Sequence, residues 1–375
     1  MKSRADVVII GGGIQGTSAA YHLAKLGVPD IVLVEADIVG SGSSGRSAAM
    51  ILLQMSREMT IRMSQESYKE YMAFADEFGA EIGYRPTGYL HLATQGIADQ
   101  LRSEVDLQHR FGVPTELLSP ADIARMVPAV NVEDLVLGSI CWQDGVIDPH
   151  SVMQGYVRRA RQLGAEINEQ VQATGIAIEK GRVTGVQTTA GLIATSIVVN
   201  AAGPRAAQVG GWVGLDLPIR NFKRTIFITD RFDAIPDNTP FVMDLAVEWY
   251  FRKEGKGILM GMGLEESTTF EPQLEWDFLD TLTQHALHRA PVLANARVMR
   301  GWAGLRPLTP DDYPIVGPVP SLAGFINDCG WGGHGVMHAP IGGQLVAELI
   351  ADGETSTMDL APFRLERFAS SERNR

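Results

Sequence analysis

Three glycines and one glutamate carry the first chemical signal in this chain. Gly11, Gly13 and Gly16 stand in the run VVIIGGGIQGTSAAYHLAKLG at residues 7–27, and Glu35 follows 19 residues after Gly16. That spacing suits a diphosphate and a ribose. Gly11 permits a tight turn, Gly13 lets backbone approach a pyrophosphate, and Gly16 lets a helix pack closely on a strand. The N-terminus of such a helix offers unpaired N–H groups and the positive end of its dipole. A carboxylate at position 35 accepts hydrogen bonds from a ribose diol and disfavours a 2′-phosphate, which argues against NADP and leaves NAD and FAD.

The elements that must position these residues are legible. Val7–Ile10 is a branched apolar run with a glycine stop, the pattern of a short buried parallel strand. Ala19, Ala20, Leu23, Ala24 and Leu26 then recur at helical spacing, and Ile31–Val34 reads as a second strand ending at Glu35. A simple nicotinamide domain would go on alternating strands and helices, and this chain does not. It continues with GSGSSGRSAAM at residues 40–50, a small-residue loop with one cation, Arg46, suited to passing close to a cofactor. Residues 165–203 read as a compact β unit, with strands over 171–178, 183–188 and Ile197–Asn200, ending in the small residues Ala201, Ala202 and Gly203. Near the C-terminus, GWGGHGVMHAPIGGQLVAELIADG leads a glycine-rich turn into a helix expected over 335–351, with Ile341, Leu345, Val346 and Leu349 on its apolar face.

Bulk properties narrow the class. The 375 residues are 45% hydrophobic and 20% charged, enough for two domains, or one large elaborated one, around a cofactor. Lys plus Arg is 32 against 44 for Asp plus Glu, a formal net charge of −12, which argues against nucleic acid or anionic lipid as the main partner. Cys141 and Cys329 lack CxxC or zinc spacing, so no metal site and a reducing, cytoplasmic setting are expected. The apolar start is too short for a signal peptide or a membrane span. The chain has no internal repeat and no low-complexity segment, and SSERNR at its end reads as a frayed polar tail. Asp148-Pro149 reads as a helix N-cap and first helical residue. A helix over 57–78 carries Met59, Met63, Tyr71, Phe74 and Phe78, a stripe for the core or a subunit contact.

GGGIQG with Glu35, the GSGSSGR loop, VVNAAGP, and WAGLRPLTPDDYPIVGP followed by GGHGVMHAP occur in that order. Together they resemble the flavin-dependent amine oxidoreductases, the family of D-amino-acid oxidase, glycine oxidase, sarcosine oxidase and proline dehydrogenase. The resemblance spans nearly the whole chain. It implies a two-domain α/β fold: a Rossmann-like FAD-binding domain from residues 1–84, 145–215 and 322–375, and an antiparallel-sheet substrate domain from 85–144 and 216–321. FAD would be held noncovalently by Gly11, Gly13, Ile14, Gln15 and Gly16, by Glu35 and Ala36, and by Ser43, Ser44, Gly45, Arg46 and Ser47. Val171, Ala201, Ala202 and Gly203 would join them, with Arg306 and the turn Gly333, His334, Gly335, Val336 and Met337.

The resemblance also implies the chemistry. A carbon beside an amine is oxidised, its hydride leaves for flavin N5, and an imine results, with proline, sarcosine, glycine and dimethylglycine as candidate substrates. Arg306, Tyr250 and His334 are the candidate catalytic residues. Arg306 would hold the substrate carboxylate, its planar fork matching the two oxygens, unless it is paired with Asp311 or Asp312. Tyr250 would donate to the carboxylate or wall the pocket, unless it and Trp249 simply pack between layers. The direction of Arg252 is open. The 332–335 turn would bring N–H groups to the flavin edge where negative charge grows, with His334 and His338 giving shape more than acid–base chemistry. Met337 and Leu259 stand where the sarcosine-oxidase branch has lysines, and Gly304 falls near that branch's flavin-linking cysteine. These departures favour noncovalent FAD and a dehydrogenase passing electrons to a quinone or partner subunit, over an oxidase using oxygen. The rival readings are a flavin-dependent alcohol or glycerol-3-phosphate dehydrogenase, a flavin-bound non-catalytic subunit of a larger complex, and an NAD enzyme. Homo- or hetero-oligomers fit all of the flavin readings.

Overall fold

Runs of β-branched residues build the first of two large sheets in the computed structural model, which describes residues 1–369. The tail expected to fray lies outside them. β1 (Val7–Ile10) is buried at the sheet centre, with parallel neighbours on both sides: β2 (Ile31–Val34) and the strand Ile197–Asn200. Glu166–Asn168 extends the parallel array beyond β2, and Leu322–Cys329 extends it beyond Ile197–Asn200. Hairpin strands at Ala173–Glu179, Arg182–Thr188, Gly191–Ala194 and Ile315–Val319 complete the nine. Parallel strands place their carboxyl ends along one edge, and ligands of open α/β sheets bind in the crevice beyond it. Here β1 runs out into Gly11, β2 into Glu35, Ile197–Asn200 into Ala201, and Leu322–Cys329 into Gly330.

α1 (Ile14–Lys25) follows β1 directly and packs against the C-terminal helix Ala339–Asp352. Their closeness depends on missing side chains. A Cβ at Gly343 would lie 2.3 Å from Ser18 Oγ, and one at Gly342 would lie 2.4 Å from Gln15 Oε1. The Ser18 hydroxyl donates to Ala339 O at 2.7 Å across the contact. The C-terminal helix begins at Ala339, not at 335 as the sequence suggests, because residues 335–338 form the turn and Pro340 occupies the first helical turn. The 57–78 segment breaks at Ala73 into Glu58–Met72 and Phe74–Phe78. Its stripe serves the core: Met63, Tyr71, Phe74 and Phe78 pack with Tyr21 and Tyr156, with Met59 at the margin. Asp148 caps its helix, accepting from the backbone N–H groups of His150 and Ser151 at 3.1 and 3.3 Å.

The second sheet has eight strands, running from Val298–Leu308 through Arg220–Thr229, Gly257–Glu266, Trp249–Glu254, Phe241–Asp244, Tyr89–Thr94 and Leu135–Cys141 to Glu116–Leu118. All its pairings are antiparallel except that of Phe241–Asp244 with Tyr89–Thr94. Strand alternation gives it two faces. Trp249, Phe251, Val242 and Phe227 form one core with Leu282 and Ala286 of the helix Phe278–Arg289. Tyr250 and Arg252 point the other way; Tyr250 borders the crevice, and Arg252 donates to Ala48 O at 3.3 Å. We propose that each sheet centres one domain. The strand Ile315–Val319 then belongs with the first, although the sequence segments place it in the second, because it hairpins with Leu322–Cys329.

Gly343→Ala should cost about 1–3 kcal/mol of stability, since the new methyl overpacks a backbone contact. Urea unfolding of the purified protein measures it.

Candidate active site

Two cavities of about 270 and 310 Å³ lie end to end in the crevice between the sheets, sharing Ser43, Arg46, Pro204 and Leu305 as walls. The outer one is bordered by Gly11, Glu35, Ala36 and Ala202. The inner one is bordered by Ile14, Gln15, Ser44, Ser47, Ala201 and Gly203 on one side, and by Tyr250, Arg306 and residues 333–337 on the other. Segments far apart in the chain therefore meet along one elongated space.

The outer cavity is shaped by backbone. Gly11 has φ +113°, and a Cβ on it would lie 2.4 Å from Ala201 O, so no other residue fits the turn. The Glu35 carboxylate accepts from Gly12 N–H at 2.6 Å and from Asp37 N–H at 2.9 Å, which holds it at the cavity rim. Four expected contacts shape the site without bordering it. Gly13 is the N-cap of α1. Gly16 lets α1 approach Gly11 O, 2.0 Å from where a Cβ would sit. Gly45 closes the loop by donating to Gly40 O at 3.1 Å. Val171 turns its side chain into the core and donates its N–H to Glu35 O at 2.8 Å, leaving Gln172 and Ala173 as the wall.

Where the two cavities meet, α1 presents its N-terminus with no side-chain cap at Gly13, and Ser44 Oγ accepts the Ile14 N–H at 3.0 Å. The Arg46 guanidinium borders both spaces and has no partner among the described residues. Positive dipole and free cation converge there, which suits a diphosphate.

Arg306 dominates the inner cavity. It lies on the strand Val298–Leu308, with the Gly333 backbone over its guanidinium: a Cβ there would be 3.0 Å from Cζ. No acid pairs with it among the described residues, for Asp311 is bound to Arg367 at 2.8 Å. Burial, and then the neighbouring Arg224 charge, pulls its basicity below the ordinary arginine value, yet a guanidinium remains cationic. Tyr250 is 2% exposed, stacks on Phe241, and its hydroxyl finds no partner. Gly261 makes room for it: a Cβ would meet the hydroxyl at 2.1 Å.

The 332–338 turn leaves backbone donors open. Among the described residues the N–H groups of Gly335, Val336 and Met337 donate to no protein acceptor. His334 is pulled down to about 4, by burial first and by the Arg306 and Arg57 charges against Asp312, so it is neutral above that pH. His338 is buried behind it, its Nε2 2.9 Å from Ser64 Oγ. Met337 packs among Leu53, Met55 and Cys141, supplying no charge. Leu259 sits one layer back, against Met50 and Ile226.

Sequence reasoning missed two charged residues on the wall of the inner cavity. Arg224 shares a sheet face with Arg306, is 4% exposed, and is tied to Glu248 at 2.8 Å; only its alternation with Ile226 on the strand hints at this. Asp328 borders the inner cavity from the end of Leu322–Cys329, where an acid interrupts an apolar strand. The apolar Met50, Tyr89 and Met243 were also missed, having no signal beyond their hydrophobicity.

A crevice at the ends of parallel strands, lined by glycine turns and roofed by a second sheet, defines a dinucleotide-binding protein. Residues 6–349 match the family model described as FAD dependent oxidoreductase, and the chain belongs to that family. Its cofactor is FAD, which the glycine turns, the free helix N-terminus and Arg46 fit. The chain is 31% identical to mitochondrial sarcosine dehydrogenase of Mus musculus over 99% of its own length, but spans only 42% of that relative. It is 26% identical to sarcosine oxidase subunit beta of Rhodobacter capsulatus, covering 98% of this chain and 89% of that one. A crystal structure of L-proline dehydrogenase from P. horikoshii superposes with TM-score 0.92 at 29% identity, covering 99% of both chains. Among the described residues no helix is long and apolar enough to cross a membrane.

Glu35→Ala should weaken FAD binding about tenfold or more, by removing a charged acceptor worth ~1.5–3 kcal/mol. Retention of flavin on ultrafiltration of diluted protein measures it.

Proposed function

We propose that the chain oxidises a small amino acid or a secondary or N-methylated amine, of the kind of proline, sarcosine, glycine or dimethylglycine. The observation carrying this reading is the Arg306 guanidinium, unpaired in the inner cavity beside the unpaired Tyr250 hydroxyl. A carboxylate is the group that satisfies both, by two guanidinium N–H groups and one phenol. Similarity to enzymes named for sarcosine and proline, both secondary amines bearing a carboxylate, supports the class.

Bound FAD supplies the hydride acceptor. The protein's part is to orient and to exclude water. Arg306 and Tyr250 fix the acid end, while Met50, Tyr89 and Met337 shut out solvent around the carbon that reacts. The free N–H groups of Gly335, Val336 and Met337 and the helix beyond them form a positive backbone patch, suited to developing negative charge. His334, neutral above about pH 4, is a weak base, so the substrate must reach the site with its amine already deprotonated.

FAD is held without a covalent thioether in this reading, because neither Cys141 nor Cys329 borders a cavity. The uncharged Met337 and Leu259 favour a dehydrogenase delivering electrons to a quinone or partner subunit. Near-complete coverage of a sarcosine oxidase subunit beta supports a place in a hetero-oligomer.

Anaerobic bleaching of the bound flavin by a panel of amino acids tests the reading; bleaching by none of them, or by glycerol 3-phosphate alone, refutes it. Arg306→Lys should raise KM about 10–100-fold with FAD still bound, because a point charge replaces a fork worth ~1.5–3 kcal/mol. The rate kcat/KM should climb with pH along the free-amine fraction of the substrate, with no break near pH 6.5 from a protein histidine. Oxygen uptake slower than dye reduction would mark a dehydrogenase.

A further inference from the structure

We propose that Asp328 is a cofactor-positioning residue, its Oδ2 carrying a hydrogen bond to the hydroxylated, phosphate-bearing linker of FAD. Asp328 is the next-to-last residue of the strand Leu322–Cys329, one beyond the Asn327–Asn200 pair, on the wall of the inner cavity that also carries Ile14, Gln15, Ala201 and Gly203. This wall lies next to the uncapped N-terminus of α1, between the diphosphate region and the part of the cavity holding Arg306. The carboxyl is 1% exposed. Its Oδ1 accepts from Trp331 Nε1 at 2.8 Å, whereas Oδ2 has no partner.

An unpaired carboxylate oxygen in such a place is costly, and two facts point to what resolves it. First, no opposite charge comes from the elements packed around it. Val316 stands opposite on Ile315–Val319; Asn200 and Ala201 belong to the adjacent strand; Gln15 lies on α1. The turn contributes Trp331 and the neutral His334. Arg46 and Arg306 border the same cavity, but neither forms an ion pair with Asp328. Burial, opposed only by the Trp331 hydrogen bond, pushes the carboxyl up to about 7. A protonated Oδ2 is a donor, and beside a diphosphate it does not repel. Second, Gln15 Oε1 is also buried without a partner, and Gly342 brings it near Trp331, since a Cβ there would meet Gln15 Oε1 at 2.4 Å and Trp331 Cζ2 at 2.7 Å. A wall offering one O–H and one bare acceptor matches hydroxyl groups, which both accept and donate.

Because FAD carries negative phosphates, binding favours the protonated acid, so affinity should fall as pH rises above about 7. The test measures the FAD dissociation constant of the apoprotein by quenching of flavin fluorescence at pH 6 and pH 9. For the wild-type chain the constant should rise about tenfold or more between the two. Asp328→Asn, whose amide keeps both the Trp331 bond and a donor, should bind within about threefold of wild type at pH 6 and change less than about threefold by pH 9. Asp328→Ala should bind about tenfold more weakly at pH 6. A wild-type constant independent of pH, an equal rise in Asp328→Asn, or full affinity in Asp328→Ala would overturn the proposal. If the alanine variant does not fold, the comparison of wild type with Asp328→Asn decides alone.

Discussion

A half-buried guanidinium without a counter-ion among the described residues sets the terms for the rest of this structure. Desolvating a cation costs several kcal/mol, and folding normally supplies an acid to offset it. Arg306 is given none among the described residues; the acid closest in sequence, Asp311, is committed to Arg367. The second sheet holds it in place instead, on the long edge strand Val298–Leu308, which pairs along its length with Arg220–Thr229. Arg224 on the same face is neutralised by Glu248, which leaves Arg306, and Arg46 at the junction with the outer cavity, as the unpaired guanidinium groups of the inner cavity among the described residues. A chain of formal charge −12 thereby keeps its attraction for acids confined to one enclosed spot.

The cofactor side follows the opposite logic, in which side chains are removed rather than placed. Gly11, Gly16, Gly342 and Gly343 each mark a contact where a methyl group would strike backbone or a neighbouring polar atom. Stripping these positions lets β1, the strand Ile197–Asn200 and two helices close to distances at which N–H groups and helix dipoles become the binding surface. Such a surface recognises a long anionic molecule by shape. The second sheet adds what the first lacks, a guanidinium fixed at one point of the inner cavity.

Local signals were the readable ones. The strand, turn and helix at residues 7–25, the acid at 35 and the small residues at 201–203 are consecutive features whose meaning depends on neighbours in the chain, and the structure has them in those forms. Arg306 and the 332–337 turn were legible only through a family pattern, because what makes them a site is that the 298–308 strand passes under the turn. Arg224 and Asp328 were not legible at all. Whether a polar residue on a buried strand faces a cavity or a partner depends on sheet register, as the opposite faces of Trp249 and Tyr250 illustrate. The C-terminal helix was drawn four residues too long at its start, where glycines fit a helical apolar period but fold as a turn.

The contact between α1 and Ala339–Asp352 joins the earliest helix of the chain to nearly the last. During synthesis the glycine turn at 11–16 emerges first and must wait for some three hundred residues before its packing partner leaves the ribosome. Flavin capture therefore has to follow synthesis of the Ala339–Asp352 helix, and until that helix arrives the buried face of α1 has nothing to cover it.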